Sequence, residues 1–379
     1  MERRDFAKNA LLGAAGAGLL TGCRSEESPA SDGAANVQPN KQVRWRLASS
    51  FSRSLDTIYG AAEVLSERLK ILTDGNFQIR TYPGGELVPS LEVLGSVRNR
   101  TVEMGHSASY YFIGKNPALA FDSTVPFGLT ARQYNAWLLH GGGMDLMRKL
   151  FADFNILNLP GGNTGMQMGG WFRTEVDSLQ DMKGLKMRIP GLGGRVMSEM
   201  GVNTQVLPSG EIYPSLERGA IDAAEWVGPY DDEKLGFQEV AQYYYYPGWW
   251  EPGPALTFYV NRDAYDSLPT QYQEALKTAA REASLRMLAA YDHKNPAALD
   301  RLLKKDTTLR RFPNEVMKRA QKVTRQLLED NASGNKQYRK IYNAYKKARS
   351  DAYRWFGTAE SAYANFAFPE SGAAASASM

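Results

Sequence analysis

The sequence predicts an α/β protein of two lobes with a ligand cleft between them, ending in a helical extension. Three observations carry this. From Gln42 to Ser107, short runs of alternating apolar residues are separated by longer runs with helical spacing, a βαβαβ grammar that builds a mainly parallel sheet. The same grammar recurs from about Asn163, and from Pro269 the chain reads almost wholly as amphipathic helix. The length of 379 residues suits two or three domains, and a hydrophobic fraction of 43% is enough for a sizeable core.

The first element is an export signal rather than part of the fold. Arg3-Arg4-Asp5-Phe6-Ala7-Lys8 resembles a twin-arginine pattern, which implies folding before export. The apolar stretch Ala10 to Leu20 is too short to remain in a bilayer, which takes about 20 apolar residues. Leu20-Thr21-Gly22-Cys23 resembles a lipobox, with lipid expected on Cys23; the alternative is a soluble exported protein with a chance cysteine. Residues 23–41 read as a flexible tether rich in Ser, Pro, Ala and Gly. Membrane attachment is thus expected through the lipid alone, outside the cytoplasmic membrane.

In the body, Gln42 to Ala48 alternates as a strand, with Val43, Trp45 and Leu47 on one face. Asp56 is placed to cap a helix that buries Ile58, Ala61, Ala62, Leu65, Leu69 and Leu72, and Gly75 ends it. Phe77, Ile79 and Thr81 form a second strand, Pro89 opens a helix, and Val102 to Ser107 is a third strand. Tyr110 and Tyr111 follow, either as packing or as rings offered to a ligand. In the second repeat, Met166 to Phe172, Lys186 to Ile189 and Ala220 to Val227 read as strands, and Pro208 to Gly219 as a helix. Pro269 starts a long helix that Pro296 is expected to kink or restart. Pro313 to Leu328 and Lys336 to Phe356 are two more helices. The last has a stripe of Tyr338, Tyr342, Tyr345, Tyr353 and Phe356, which either docks on its own body or embraces a second copy. Residues 369–379 are expected to be disordered.

The chemistry is narrowed first by what is missing. One cysteine excludes an internal disulfide, and His106, His140 and His293 are too scattered for a metal pair. A net charge of +4 from 45 basic and 41 acidic residues is no nucleic-acid footprint; without residues 1–22 it is +3. The sequence has no G-x-S-x-G elbow and no Walker loop, so an enzyme is not expected. Three oddities remain. Arg188 sits in an apolar strand beside Pro190-Gly191, where a guanidinium either braces the fold or offers a fork to a carboxylate. Glu225 lies in the small, apolar run Ala220 to Val227 and needs a cation, a donor or a proton. Trp226 beside it could give a wall or a carbonyl. Tyr243 to Tyr246 and Trp249-Trp250-Glu251 crowd a Pro/Gly loop, and Gln167 adds an amide between two methionines. Arginine suits an anion, and Glu and Gln oxygens suit a hard cation. Asp222 with Glu225 as an acid–base pair is disfavoured, because an odd step along a strand sets them on opposite faces.

These residues fall within motifs that resemble the substrate-binding proteins of TRAP (tripartite ATP-independent periplasmic) transporters, the DctP-like family. The motifs are Tyr82-Pro83-Gly84-Gly85-Glu86-Leu87, Leu185-Lys186-Met187-Arg188-Ile189-Pro190-Gly191, Leu207-Pro208-Ser209-Gly210-Glu211-Ile212-Tyr213 and Gly219-Ala220-Ile221-Asp222-Ala223-Ala224-Glu225, supported by Pro126-Phe127-Gly128-Leu129. The resemblance spans about Gln42 to Phe356. It implies a periplasmic receptor that closes on a carboxylate held by Arg188 and delivers it to membrane permease subunits without ATP. Glu225-Trp226-Val227-Gly228-Pro229 departs from the Asn-Pro pair of many members. In that respect the chain looks like the subgroup that binds 2-oxo acids or lactate with sodium or calcium. The resemblance implies cation ligation by Gln167, Glu225, the main chain of Trp226 and Glu251, and ligand contacts from Arg188, Gln167, Trp226 and Tyr111. Related members linked to mannitol and chloroaromatic acids are the alternative. The expected layout is lobe I over 42–165 and 254–293, lobe II over 166–253 and 294–330, and a helix over 331–368 swapped in a homodimer.

Overall fold

The computed structural model describes residues 41–368. The signal, Cys23, nearly all of the tether and the tail therefore lie outside the described residues. The first pass of the chain lays down β1 (Val43–Ser49), α1 (Gly60–Leu72), β2 (Phe77–Tyr82), α2 (Val93–Arg98), β3 (Met104–Ser107), α3 (Ala131–His140), α4 (Gly143–Ala152) and β4 (Ile156–Asn163). A second pass lays down β5 (Trp171–Phe172), β6 (Lys186–Arg188), α5 (Gly191–Glu199), β7 (Asn203–Gln205), α6 (Ser209–Glu217), β8 (Ala223–Ala224), α7 (Pro229–Leu235) and β9 (Tyr243–Tyr246). The chain ends through β10 (Ala255–Asn261), α8 (Arg262–Asp266), α9 (Thr270–Leu303), β11 (Thr308–Arg311), α10 (Asn314–Gly334), α11 (Lys336–Phe356) and α12 (Ala362–Ala367).

The strands form two sheets, ordered β2-β1-β3-β10-β4 and β11-β9-β5-β8-β6-β7. The chain crosses between them after β4, between β9 and β10, and between α9 and β11. In the first sheet, β1 pairs in parallel with β2 and β3, and β10 is antiparallel to β3 and β4. Val43, Trp45 and Leu47 of β1 are buried while Arg44 and Arg46 face out, as period-two alternation requires. All seven residues of β10 are buried, because strands cover it on both sides and helices pack its faces. The 34 residues of α9 pack on α1 and β4 of the first layer and on α7 of the second, so this helix ties the two layers together.

Several local expectations are corrected. Asp56 does not cap α1, which starts at Gly60 with no side-chain cap; its carboxylate is taken by Lys234, Lys294 and Tyr230. Leu72 is not on the buried face; it is half-exposed at the last turn. The helix after Pro89 begins only at Val93. Only Trp171–Phe172 of the segment 166–172 pairs as strand, because Gly165 and Gly170 take left-handed φ values of +72° and +81° that break the ladder. Likewise only Ala223–Ala224 of 220–227 is strand. Helix α9 runs unbroken through Pro296, which lies on an exposed side together with Asp292, the residue whose carbonyl loses its donor. The tyrosine stripe divides. Tyr338, Tyr342 and Tyr345 are buried against Phe121 of their own chain, whereas Tyr353 is about half exposed.

Candidate functional site

The site is assembled where the two sheets face each other, from segments that are far apart in the chain. Arg188 ends β6, which pairs in parallel with β8, so that Arg188 is level with Ala224 and the Glu225 N–H donates to the Arg188 carbonyl at 3.1 Å. Glu225 and Trp226 therefore leave the sheet beside Arg188. Gln167 lies on the crossover after β4, and Glu251 on the crossover between β9 and β10. The two crossovers are stitched together: the Gln167 N–H donates to the Glu251 carbonyl at 3.3 Å, and the Gly248 N–H donates to the Gln167 carbonyl at 3.0 Å. Gly248 permits this approach, since a Cβ there would meet the Met168 and Gln167 carbonyls at 2.5 and 2.6 Å. Tyr110 and Tyr111 reach in from the turn after β3 of the first sheet.

Arg188 is 1% exposed and Glu225 0%. Arg188 Nη1 donates to the Glu225 carbonyl at 2.7 Å and to its Oε2 at 3.1 Å. Its Nε donates to the Leu207 carbonyl at 3.2 Å, and its guanidinium carbon lies 5.0 Å over the Trp226 ring. The Nη2 nitrogen has only a long 3.4 Å contact to the Tyr111 hydroxyl, which leaves it donor capacity. Gln167 Nε2 donates to Thr164 Oγ1 at 3.0 Å. Three buried oxygens have no partner: Gln167 Oε1, Glu225 Oε1 and Glu251 Oε2.

Two buried carboxylates face one buried guanidinium, so the charges do not balance. Burial pushes the Glu225 carboxyl up to about 8, against the pull of Arg188 and with a further push from Asp232. Burial also holds the Glu251 carboxyl well above the usual carboxylate range, and Glu225 raises it further. Such acids need a proton or a cation. Among the described residues, no group of three or more His, Cys, Asp or Glu side chains is placed to hold a metal. The set at hand is different: two carboxylates and an amide, hard oxygen donors of the kind calcium and sodium accept. The unpartnered oxygens fit that chemistry.

The sequence reading passed over α7. Asp232 is buried; its Oδ1 accepts the Val227 and Gly228 N–H groups at 3.2 and 3.1 Å, and its Oδ2 accepts Trp171 Nε1 at 3.0 Å and the Tyr244 hydroxyl at 2.7 Å. It thereby clamps the loop that carries Glu225 and Trp226. Asp231 accepts the Tyr291 hydroxyl at 2.7 Å. Adjacent acids just after Pro229 were the available signal, since acids favour a helix N-terminus. Asp222, by contrast, accepts the Lys186 N–H at 2.9 Å at the other end of β6 and takes no part in this cluster. A small cavity lined by Phe51, Tyr110, Tyr111, Gln167, Trp226 and Leu256 has about 10 Å³ for the centre of a water-sized sphere, room for about one water. A groove of about 630 Å³ between α10 and α11 is larger but touches none of these residues.

The chain matches the family model DctP, bacterial extracellular solute-binding protein family 7, over residues 48–335. It is 50% identical over 367 residues to the monocarboxylate 2-oxoacid-binding periplasmic protein of Nostoc sp. PCC 7120, covering 97% of this chain and 99% of that one. Among solved structures, it is similar to a TRAP transporter solute-binding protein from Bordetella bronchiseptica with a TM-score of 0.87 and 50% identity, covering 88% of this chain and 100% of that one. That structure is a mixed-occupancy dimer, one site holding calcium and picolinate and the other apo. A periplasmic solute-binding protein from Pseudoalteromonas atlantica, with bound sodium and pyruvate, matches with a TM-score of 0.84 and 40% identity over 86% of this chain and 99% of that one. With most of its length inside the family model and its fold shared with these receptors, the chain belongs to the DctP family, the extracellular solute-binding receptors of TRAP transporters.

Proposed function

We propose that this receptor binds a small 2-oxo monocarboxylate such as pyruvate, or lactate, together with a calcium or sodium ion, between its two sheets. The observation that carries the reading is the set of unpartnered buried oxygens on Gln167, Glu225 and Glu251 beside Arg188. Arg188 pairs with the ligand carboxylate through Nη2, its least committed nitrogen, while Nη1 stays on Glu225 and keeps the guanidinium fixed. Gln167, Glu225, the Trp226 carbonyl and Glu251 hold the cation, which supplies the positive charge those two carboxylates lack. Trp226 and Tyr111 flank the ligand. This is binding chemistry without a nucleophile or acid–base pair. A cavity with room for about one water implies that the lobes separate to admit the ligand.

Delivery is to the TRAP membrane permease subunits. We further propose that a twin-arginine signal exports the protein, that Cys23 anchors it through lipid, and that it dimerises through its C-terminal helical segment. Truncation at Asp330 is a poor test of the dimer, because it strips the buried Tyr338, Tyr342 and Tyr345 from the body. Truncation after Phe356 removes the exposed Tyr363 and Phe366 instead, and a persisting dimer then refutes a role for that end.

The deciding experiment is a thermal-shift screen of pyruvate, longer 2-oxo acids, lactate, succinate, chloroaromatic acids and mannitol, each with calcium, sodium or chelator. Ligand at about 100 times its dissociation constant adds about 2.7 kcal/mol of stability. The expected result is stabilisation by 2-oxo acids that weakens with chelator. Stabilisation by succinate or mannitol alone, indifferent to cation, overturns the proposed site.

A further inference from the structure

We propose that α11 is a positioning strut for the cleft: Tyr353 and Arg349 hold the turn at Phe127, and Phe127 fixes the crossover that carries Glu251. This rests on the assignment of Glu251 and Gln167 to the cation and extends it to residues that touch no ligand.

Phe127 has φ +53°, a conformation that a bulky aromatic residue adopts only when its surroundings impose it. Its carbonyl accepts the Tyr353 hydroxyl at 2.7 Å and Arg349 Nη1 at 3.4 Å. The same hydroxyl lies 2.7 Å from the Gly128 carbonyl, so its one proton is shared between the two. One turn further back, the Tyr345 hydroxyl accepts the Leu129 N–H at 2.9 Å. Tyr345, Arg349 and Tyr353 are spaced by four, so one face of α11 grips the whole turn 127–129. A Cβ on Gly128 would stand 2.4 Å from the Tyr345 hydroxyl, which shows how closely the helix approaches.

The other side of the turn bears on the site. The Phe127 ring stacks on Trp249 at 5.1 Å with 14° between planes, and its N–H donates to the Trp249 carbonyl at 2.8 Å. Trp249 and Trp250 both lack a partner for Nε1, so ring contacts alone set their side chains. Trp249 lies inside the loop closed by Glu251 N–H on the Gly248 carbonyl at 3.0 Å, and that loop is bonded to Gln167 on both sides. A displacement at Phe127 therefore reaches two of the proposed cation donors at once. Cation affinity depends on donor placement, and outer contacts that orient donors are worth about 10- to 100-fold in affinity.

The test is calorimetric titration of calcium into wild type, Tyr353→Phe and Trp355→Ala in the presence of saturating pyruvate. Tyr353 lies at the surface, so removing its hydroxyl keeps the ring and the fold. A merely structural hydrogen bond would lower the melting temperature and leave the calcium affinity of the folded molecule where it was. The expected result is a calcium dissociation constant raised about 3- to 10-fold in Tyr353→Phe, the worth of about one hydrogen bond, and unchanged in Trp355→Ala, which is 62% exposed on the same helix. Equal affinities in wild type and Tyr353→Phe overturn the strut. A wild type whose pyruvate binding ignores calcium overturns instead the cation assignment on which the strut rests.

Discussion

Among the described residues, two of the buried acidic groups, one at Asp122 and one around Arg188, solve the same problem differently. Asp122, behind the first sheet, accepts Ser109 Oγ at 2.5 Å and Thr257 Oγ1 at 2.6 Å on one oxygen and Asn158 Nδ2 at 3.2 Å on the other. Every donor is neutral, both oxygens are used, and no cation is near. Glu225 and Glu251 are as deeply buried, yet each leaves an oxygen unpartnered, and both oxygens belong to the group around Arg188. Burial of an acid is thus no sign of a site by itself. Asp122 has both its own oxygens satisfied, the unpartnered oxygen beside it being the neutral Asn158 Oδ1, and it reads as structure. The second cluster is open by three acceptors and one charge, and reads as a place for something to bind.

Removing the arginine breaks this contrast most severely. Arg188→Ala is expected to abolish carboxylate binding. It also leaves Glu225 buried without its ion pair, which costs about 3–5 kcal/mol of stability, so the fold does not escape as a purely local reading of the strand suggests. Calorimetry with pyruvate and thermal melting measure the two effects. Normal binding in this variant discards the site. Next in size is a matched pair of isosteric changes. Glu251→Gln is expected to weaken calcium at least about 10-fold, since a direct ligand counts for no less than an outer one. It should weaken the fold little, since burial already favours the uncharged acid and the amide keeps one acceptor oxygen. Asp122→Asn is expected to do the reverse, leaving calcium affinity alone and costing about 1–3 kcal/mol, because one acceptor oxygen becomes a donor that faces either the two hydroxyls or the Asn158 amide. Calcium binding impaired equally in both variants would erase the distinction between the clusters.

Acidity sharpens the comparison. Burial raises Asp122 to about 6, above the ordinary carboxylate value near 4. An acid whose folded value is raised binds more protons when folded, so its contribution to stability is complete below about pH 4 and is lost as pH rises towards about 6. Glu225, raised to about 8, has the same sign, and its contribution is lost between about pH 4 and about pH 8. The clusters differ in how calcium acts. Calcium binds the ionised form and releases protons, so the melting shift it induces should grow from about pH 6 to about pH 8. Asp122→Asn should leave that growth intact and make the ligand-free melting profile shallower between about pH 4 and about pH 6, where Glu225, Asp231 and Asp232 still titrate. A calcium effect that is flat with pH removes Glu225 and Glu251 from the cation.

How far the sequence discloses this contrast depends on distance along the chain. The period-two face of β1 and the bounds of α11 are written locally and are observed where expected. Glu225, Arg188 and Glu251 stand out as charges in apolar or aromatic runs, so each is visible alone. Their convergence is not, because Gln167, Arg188, Glu225 and Glu251 sit on different segments, two of them crossovers, and only the resemblance to a family joins them in advance. Asp56 fails as a helix cap for the same reason. Its partners Lys234 and Lys294 lie 178 and 238 positions away, and a carboxylate prefers two ammonium groups to a turn of backbone. Strands β5 and β8 have two residues each, too short for any periodicity to register. Strand β10 is buried on every residue and so has no alternation to read.

The smallest expected effect concerns Tyr111, which taken alone reads as packing or ligand contact and which the family resemblance makes a ligand contact. In the structure its hydroxyl is 3.4 Å from Arg188 Nη2, a distance at which a hydrogen bond contributes little. Its ring meets Tyr110 edge-on at 4.9 Å and lines the cavity between the sheets. If a carboxylate takes over Nη2, the tyrosine loses a weak partner and the arginine gains a strong one, so Tyr111→Phe should change pyruvate affinity by no more than about 3-fold. Its ring must stay, and Tyr111→Ala should cost more than Tyr111→Phe. Should Tyr111→Phe instead weaken pyruvate by 10-fold or more, about 1.4 kcal/mol, the hydroxyl itself would be bonded to the ligand. The first sheet would then supply a direct polar contact, and closure of the cleft would be driven from both lobes rather than by the second sheet and its crossovers alone.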